Sequence, residues 1–302
     1  MNKELKGTSY VLLAGIVWGL SGTCGQYILA RGVPALVLTN LRLLLAGAIL
    51  SLLAYSSNKA SFLGILKNKK AMLSVSLFAL TGLVLNQLAY LLAIHETNAG
   101  TATVLQYLCP VLVLAYSCLK DRILPRVYQV LAILLASLGT FLIATHGDLS
   151  NLAITPSGLF WGIFSAFTYA MYIILPGDII REYGSLTVIG IGMIMGASVL
   201  LPFSGLLTYS WHLDGFLIAA LFGMVLLGTV FTYTVFLKGA SLIGPVKSSL
   251  LASVEPIAAV FFAFWLMKEQ FYLVDYLGML AIILAVLLVS LRDLVRLRKR
   301  NS

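Results

Sequence analysis

The chain has 302 residues, of which 60% are hydrophobic and only 10% charged, and its mean hydropathy is +1.00. So few charges cannot cover the surface of a soluble protein of this length, so the composition excludes a soluble domain and points to a multi-pass protein whose solvent is the lipid bilayer. The net charge of +9 then belongs to cytoplasmic loops, where Lys and Arg are retained, and implies no nucleic-acid partner.

Lys3 and Lys6 precede an apolar run at 8–30, which is too long for a signal-peptide core and lacks a small-residue cleavage site. It reads as a retained first helix. Nine more spans are expected at 34–55, 71–94, 99–119, 127–145, 156–175, 186–209, 215–237, 248–267 and 272–291. Each is about 20 residues, or roughly 30 Å of helix, the thickness of a bilayer core. With the N-terminus in the cytoplasm, seventeen Lys and Arg fall on the inner face. Only Arg31 and Lys268 fall outside, and Arg42 lies within a span, which accounts for all 20. That asymmetry places both termini in the cytoplasm of a cell whose inner membrane holds the protein. Cys24, Cys109 and Cys118 all sit in apolar runs and act as small hydrophobes, so no disulfide framework, metal site or cofactor is expected.

The chain repeats itself. Gly15-Ile16-Val17-Trp18-Gly19 recurs as Gly158-Leu159-Phe160-Trp161-Gly162, and residues 90–144 lie over 236–290 without a gap at an offset of 146, which puts Pro110 on Pro256. The fold expected is all-α and integral to the membrane: ten transmembrane helices as two inverted five-helix repeats, residues 1–147 and 148–302. Because five is odd, the second repeat enters the membrane upside down. Inverted repeats of this kind build secondary transporters with the substrate near the midplane.

The Trp-Gly pairs of spans one and six, Leu41-Arg42-Leu43 in span two, the prolines of spans four and nine and the Lys268-Glu269 ending together resemble the EamA family of the drug/metabolite transporter superfamily. The resemblance runs from residue 8 to residue 291. It implies ten helices in two inverted units and a central cavity lined by spans 1, 3, 4, 6, 8 and 9. It also implies transport, mostly export, of amino acids and related metabolites. The first repeat departs from the pattern at Lys120-Asp121-Arg122, where the family carries Gly-Glu or Lys-Glu.

Candidate substrate-binding residues follow from polar and aromatic side chains that share helix faces within the spans. They are Trp18 in span one, Asn86 and Tyr90 in span three, Gln106 and Tyr107 in span four, Trp161 and Tyr169 in span six, Tyr233 in span eight, and Lys247, Ser248 and Glu255 in or beside span nine. Ring faces and a few donors suit a small amphiphilic solute. The same residue types also serve interfacial belts and helix–helix glue. Glu255 is the one acid deep in a span, followed at once by Pro256, which is expected to kink the helix. It either exchanges a proton during transport or caps backbone freed by the proline. Lys247 either faces the solute or snorkels to the interface, and Arg42 is expected near the outer third of span two, paired with carbonyls or lipid phosphate. Export of small metabolites is the leading reading and extrusion of lipophilic or quaternary cations the rival. An integral-membrane enzyme is remote, since no HExxH, GxSxG or Walker A sequence occurs.

Overall fold

The computed structural model describes residues 3–109, 112–113, 116, 118–119, 122, 124, 126–145, 154–243, 248, 251–252 and 254–300. Among them all regular structure is helical: α1 Lys3–Ala30, α2 Ala35–Ser57, α3 Lys59–Lys67, α4 Lys69–Glu96, α5 Ala99–Gln106, α6 Val127–Thr145, α7 Pro156–Ile174, α8 Gly177–Tyr183, α9 Ser185–Ser204, α10 Gly215–Ile243, α11 Val254–Met267 and α12 Leu273–Arg300. Six of these, α1, α2, α4, α7, α9 and α10, are long and apolar enough to cross a membrane by themselves. Helices α6, α11 and α12 contribute shorter apolar windows at Val130–Gly139, Val254–Met267 and Leu273–Ala285.

Short α3 and α8 were not expected from hydropathy. Two asparagines define α3 and the start of α4: the Asn58 side chain accepts from the Ser61 amide, and that of Asn68 accepts from the Lys70 and Ala71 amides. The Ser61 hydroxyl donates to the Tyr183 carbonyl, and Asn68 to the Tyr183 hydroxyl, so α3 and α8 are tied together.

Two long helices widen into π-helix part-way along, α4 at Ala79–Val84 and α10 at Gly223–Phe231. Adding the sequence offset of 146 to 79–84 gives 225–230, inside the second stretch. The two widenings therefore occupy corresponding places in the two halves of the chain.

Close packing rests on glycine, as lipid offers no hydrophobic drive for helix association. Helix α2 lies along α9, where a Cβ on Gly47 would stand 2.9 Å from the Ile194 amide and one on Gly190 2.8 Å from the Ser51 amide. Helix α1 runs between α10 and α11. A Cβ on Gly19 would meet the Ala259 amide nitrogen at 2.6 Å. Helix α7 packs on α4 and α5, and α6 on α12. Large apolar side chains such as Leu52, Leu73, Phe203, Phe216 and Trp265 point outward, as a lipid-facing surface requires.

The sequence expectation fails at span nine. Pro256 does not kink a continuous helix; it sits in the first turn of α11, with the chain turning at Ala252 just before. A proline lacks only a donor that has no partner at that position, so it starts a helix at little cost. Span four is likewise interrupted: α5 ends at Gln106, and Tyr107 and Leu108 form a turn. Pro110 lies outside the described residues.

Candidate functional site

A cavity of about 60 Å³ opens at the centre of the bundle. Helix α1 supplies Trp18, Ser21 and Gly22, α4 supplies Asn86, Gln87 and Tyr90, and α5 supplies Gln106. Helix α7 adds Tyr169 and Tyr172, α10 adds Tyr233, and α2 and α11 add one charge each, Arg42 and Glu255.

Gly22 makes room for Tyr90, whose hydroxyl would lie 2.5 Å from a Cβ at that position. The Tyr90 hydroxyl is held by Thr103 Oγ1 at 2.7 Å, and Thr103 itself donates to the Ala99 carbonyl. Gln106 Nε2 donates to Asn86 Oδ1 at 3.2 Å, and the Thr168 hydroxyl approaches the same oxygen at 3.4 Å. One wall is a run of rings. Trp18 stands edge-on to Tyr233 at 5.7 Å between centroids, Tyr233 contacts Tyr172 at 6.2 Å, and Tyr172 stacks on Tyr169 at 5.8 Å.

The two charges are held differently. Arg42 is only 8% exposed, and its Nε donates to Thr229 Oγ1 at 2.8 Å. Thr229 lies in the π stretch of α10 and donates to the Met224 carbonyl five residues back, a bond that α-helical geometry does not offer. Glu255 stands at the start of α11, where the helix dipole favours a negative charge. Its Oε2 lies 3.2 Å from the Tyr107 hydroxyl, which also donates to the Ala252 carbonyl at 2.7 Å. The two interrupted helices thus meet through one phenol. Among the described residues, neither Arg42 nor Glu255 forms an ion pair.

At the end of the bundle where α1 finishes, Gln26 Nε2 donates to Glu269 Oε1 at 2.5 Å and Gln26 Oε1 accepts from the Ala99 amide. This ties α1 to the first turn of α5 and to the segment after α11. Nearby, Arg31 pairs with Asp214 at 2.5 Å. The Leu217 amide and the Arg31 guanidinium hold the Asp214 carboxyl below its usual range.

Seven of the eleven candidates from sequence line this cavity: Trp18, Asn86, Tyr90, Gln106, Tyr169, Tyr233 and Glu255. Tyr107 stands behind Glu255 as its partner. Trp161 is not among the lining residues. Its ring lies against Phe160 and Phe164, at 5.1 and 6.0 Å, and against the apolar cluster that Tyr90 touches. Ser248 is buried outside the lining, and Lys247 falls outside the described residues. Arg42 is the principal correction. It sits eight residues into α2, in the outer third as expected, but it bonds Thr229 and lines the cavity instead of pairing with carbonyls or lipid, which adds span two to the six implied by the resemblance. Its signal in the sequence was its isolation as a cation inside an apolar run. Gln87, Ser21, Gly22 and Tyr172 also line the cavity and were not among the eleven candidates; Tyr172 shares a helical stripe with Tyr169.

The profile of the EamA-like transporter family matches residues 5–145 and again 156–291. The chain belongs to the EamA-like transporter family. Among curated relatives of this EamA-like chain, the uncharacterized inner membrane transporter YicL of Salmonella typhimurium is 41% identical over 99% of both chains. The uncharacterized transporter YwfM of Bacillus subtilis is 24% identical over 95% of both. A solved crystal structure superposes with a TM-score of 0.62 at 16% identity, over 96% of this chain and 98% of that one, which speaks for the fold alone. A multi-pass membrane transporter is therefore the established class.

Proposed function

We propose that the protein is a secondary transporter, built as ten spans in two inverted repeats at 1–147 and 148–302, which exports small metabolites such as amino acids by alternating access. The observation that carries this reading is the meeting of two interrupted helices, through Tyr107 and Ala252, at the wall of a polar, aromatic cavity. Interrupted helices at mid-depth are how transporters place backbone polar groups where lipid cannot reach. The paired π stretches and the twofold family match support the repeat reading. The cavity holds only a few waters at about 60 Å³, well short of the roughly 300 Å³ of typical solute pockets. A conformation open to one side is therefore required for loading. Charge asymmetry assigns the Asp214 end to the outside and both termini to the cytoplasm. The ties at Gln26 and Glu269 then make this an outward-closed arrangement.

Glu255 is the group placed to couple export to protons. When it is protonated, its O–H donates to the Tyr107 oxygen while Tyr107 donates to Ala252, and every partner is satisfied. When it is ionised, the single Tyr107 proton serves either the carboxylate or the Ala252 carbonyl, not both. Proton loss therefore loosens the junction between the two interrupted helices. The run of rings from Trp18 to Tyr169 favours a second reading, export of lipophilic or quaternary cations held on aromatic faces. Proteoliposomes holding the purified protein test both. A proton gradient should drive accumulation of at least one amino acid above protein-free liposomes. Gradient-driven movement of quaternary amines alone would favour the second reading, and no solute movement at all would sink both.

A further inference from the structure

We propose that Arg42 is the anion anchor of this cavity and that Gln87 completes it, so that the transported solute carries a carboxylate and not a lone positive charge. The inference rests on the cavity being the solute's path. A guanidinium has five N–H donors in a planar fork and stays charged at any physiological pH. Thr229 takes one of them, at Nε, and thereby fixes the plane of the fork. The two terminal nitrogens carry the other four donors; the side chain lines the cavity, and among the described residues no hydrogen bond or ion pair takes them. A terminal fork with both nitrogens free matches the two oxygens of a carboxylate, which it grips bidentately.

Gln87 gives the independent observation. It is 6% exposed and lines the same cavity, yet neither its amide nitrogen nor its amide oxygen has a hydrogen-bond partner. Neighbouring amides do not share this condition, since Asn86 and Gln106 bond each other. A buried amide left unpaired at both atoms costs folding free energy and is expected to have a role. Its two amide atoms are closed off in this conformation, so they serve a solute, one as donor to a carboxylate oxygen and one as acceptor from an adjacent ammonium, only once the cavity opens to load. Glu255, across the cavity, supplies the second site for positive charge. With one carboxylate in the lining, Glu255, a cation without an anionic group would share it with the buried guanidinium, and like charges in a site of low dielectric repel. The solute class this favours is the zwitterion, an amino acid or a close relative.

The test uses the purified full chain in lipid nanodiscs and a matched panel: the common amino acids, their decarboxylated amines, their deaminated acids, and tetramethylammonium and tetraphenylphosphonium. Thermal stabilisation identifies binders, and counterflow in proteoliposomes gives half-saturation values for them. Stabilisation confined to compounds with a carboxylate is the expected result. Arg42→Gln should raise half-saturation roughly 10- to 100-fold, the range for a hydrogen bond to a charged group, and Arg42→Lys should restore only part of it because an ammonium lacks the fork. Gln87→Leu serves as the folding control. Removing an unpaired buried amide should leave the melting temperature equal or higher while half-saturation still rises severalfold. Binders that are all amines or quaternary cations, unaffected by Arg42→Gln, would overturn the anchor and leave the transport reading standing. A panel with no binder of any charge would overturn both.

Discussion

The two interrupted helices occupy equivalent places in the chain and differ at their most telling position. Shifting by 146, Cys109 corresponds to Glu255. Cys109 is buried in an apolar cluster with Ala166 and Ala170, packed against Leu112 and Tyr169. Glu255 faces the cavity from the first turn of α11. The first half of the chain thus contributes a neutral, packed junction and the second half a carboxyl, with Tyr107 of the first reaching across to the acid of the second. On the proposed repeat reading, a duplicated scaffold supplies the geometry twice, whereas the proposed coupling needs its charge once. A second buried carboxylate beside the first would repel it and raise the cost of burying either.

The substitution expected to do most is Glu255→Gln. A neutral amide copies the protonated acid, so solute counterflow should stay within about twofold while proton-driven accumulation falls by tenfold or more. Equal loss of both, with less folded protein, would instead make Glu255 a structural cap, and the comparison with Cys109 would lose its functional meaning. Next comes Gly19→Leu, which drives a side chain into the Ala258–Ala259 backbone of α11. It should cost about 1–3 kcal/mol, read as a lower melting temperature and yield. Tyr107→Phe should be milder, on the order of 1 kcal/mol from the lost bonds to Ala252 and Glu255, and should reduce the proton dependence of transport. Cys109→Ala, the matching change in the neutral junction, should leave transport and its pH profile unchanged, and a shifted profile would refute the asymmetry.

The smallest effect is expected far from both junctions. Asp214 is held below its usual pKa, so its contribution is present above that usual value and fades as pH falls through the depressed one. Because the Arg31–Asp214 pair is about half exposed, Arg31→Gln should leave the melting temperature at pH 7 unchanged. Any difference from wild type should shrink further on acidification to pH 3.

Hydropathy made much of this legible, because a bilayer demands long apolar helices and Arg42 and Glu255 stand out against them. Side chains at helical spacing in separate spans proved to converge, as Trp18, Tyr90 and Tyr233 do. Counting from Pro34 gives the place of Arg42 along its helix, eight residues into α2, but says nothing of the helices packed around it, so Thr229 and the cavity stayed hidden. Trp161 had the same helical stripe as Tyr169 but turns to Phe160 and Phe164, a choice made by packing that single-helix periodicity does not encode. The break before Glu255 was hidden for a different reason. Pro256 suits a helix start as well as a kink, and the residue type alone does not distinguish them.

The π stretches have no composition that marks them either, and they carry the widest consequence. Each holds its helix one residue out of α-register, and one residue is about 100° of rotation around a helix axis. Asn86, Gln87 and Tyr90 come just after the stretch in α4, and Tyr233 just after the one in α10. If either stretch annealed to plain α-helix, the segment beyond it would turn like a key in a lock. The side chains now facing the cavity would swing toward neighbouring helices or lipid, and others would take their place. The two widened stretches, one in each half of the chain, thus set the rotation of the segments that face the cavity.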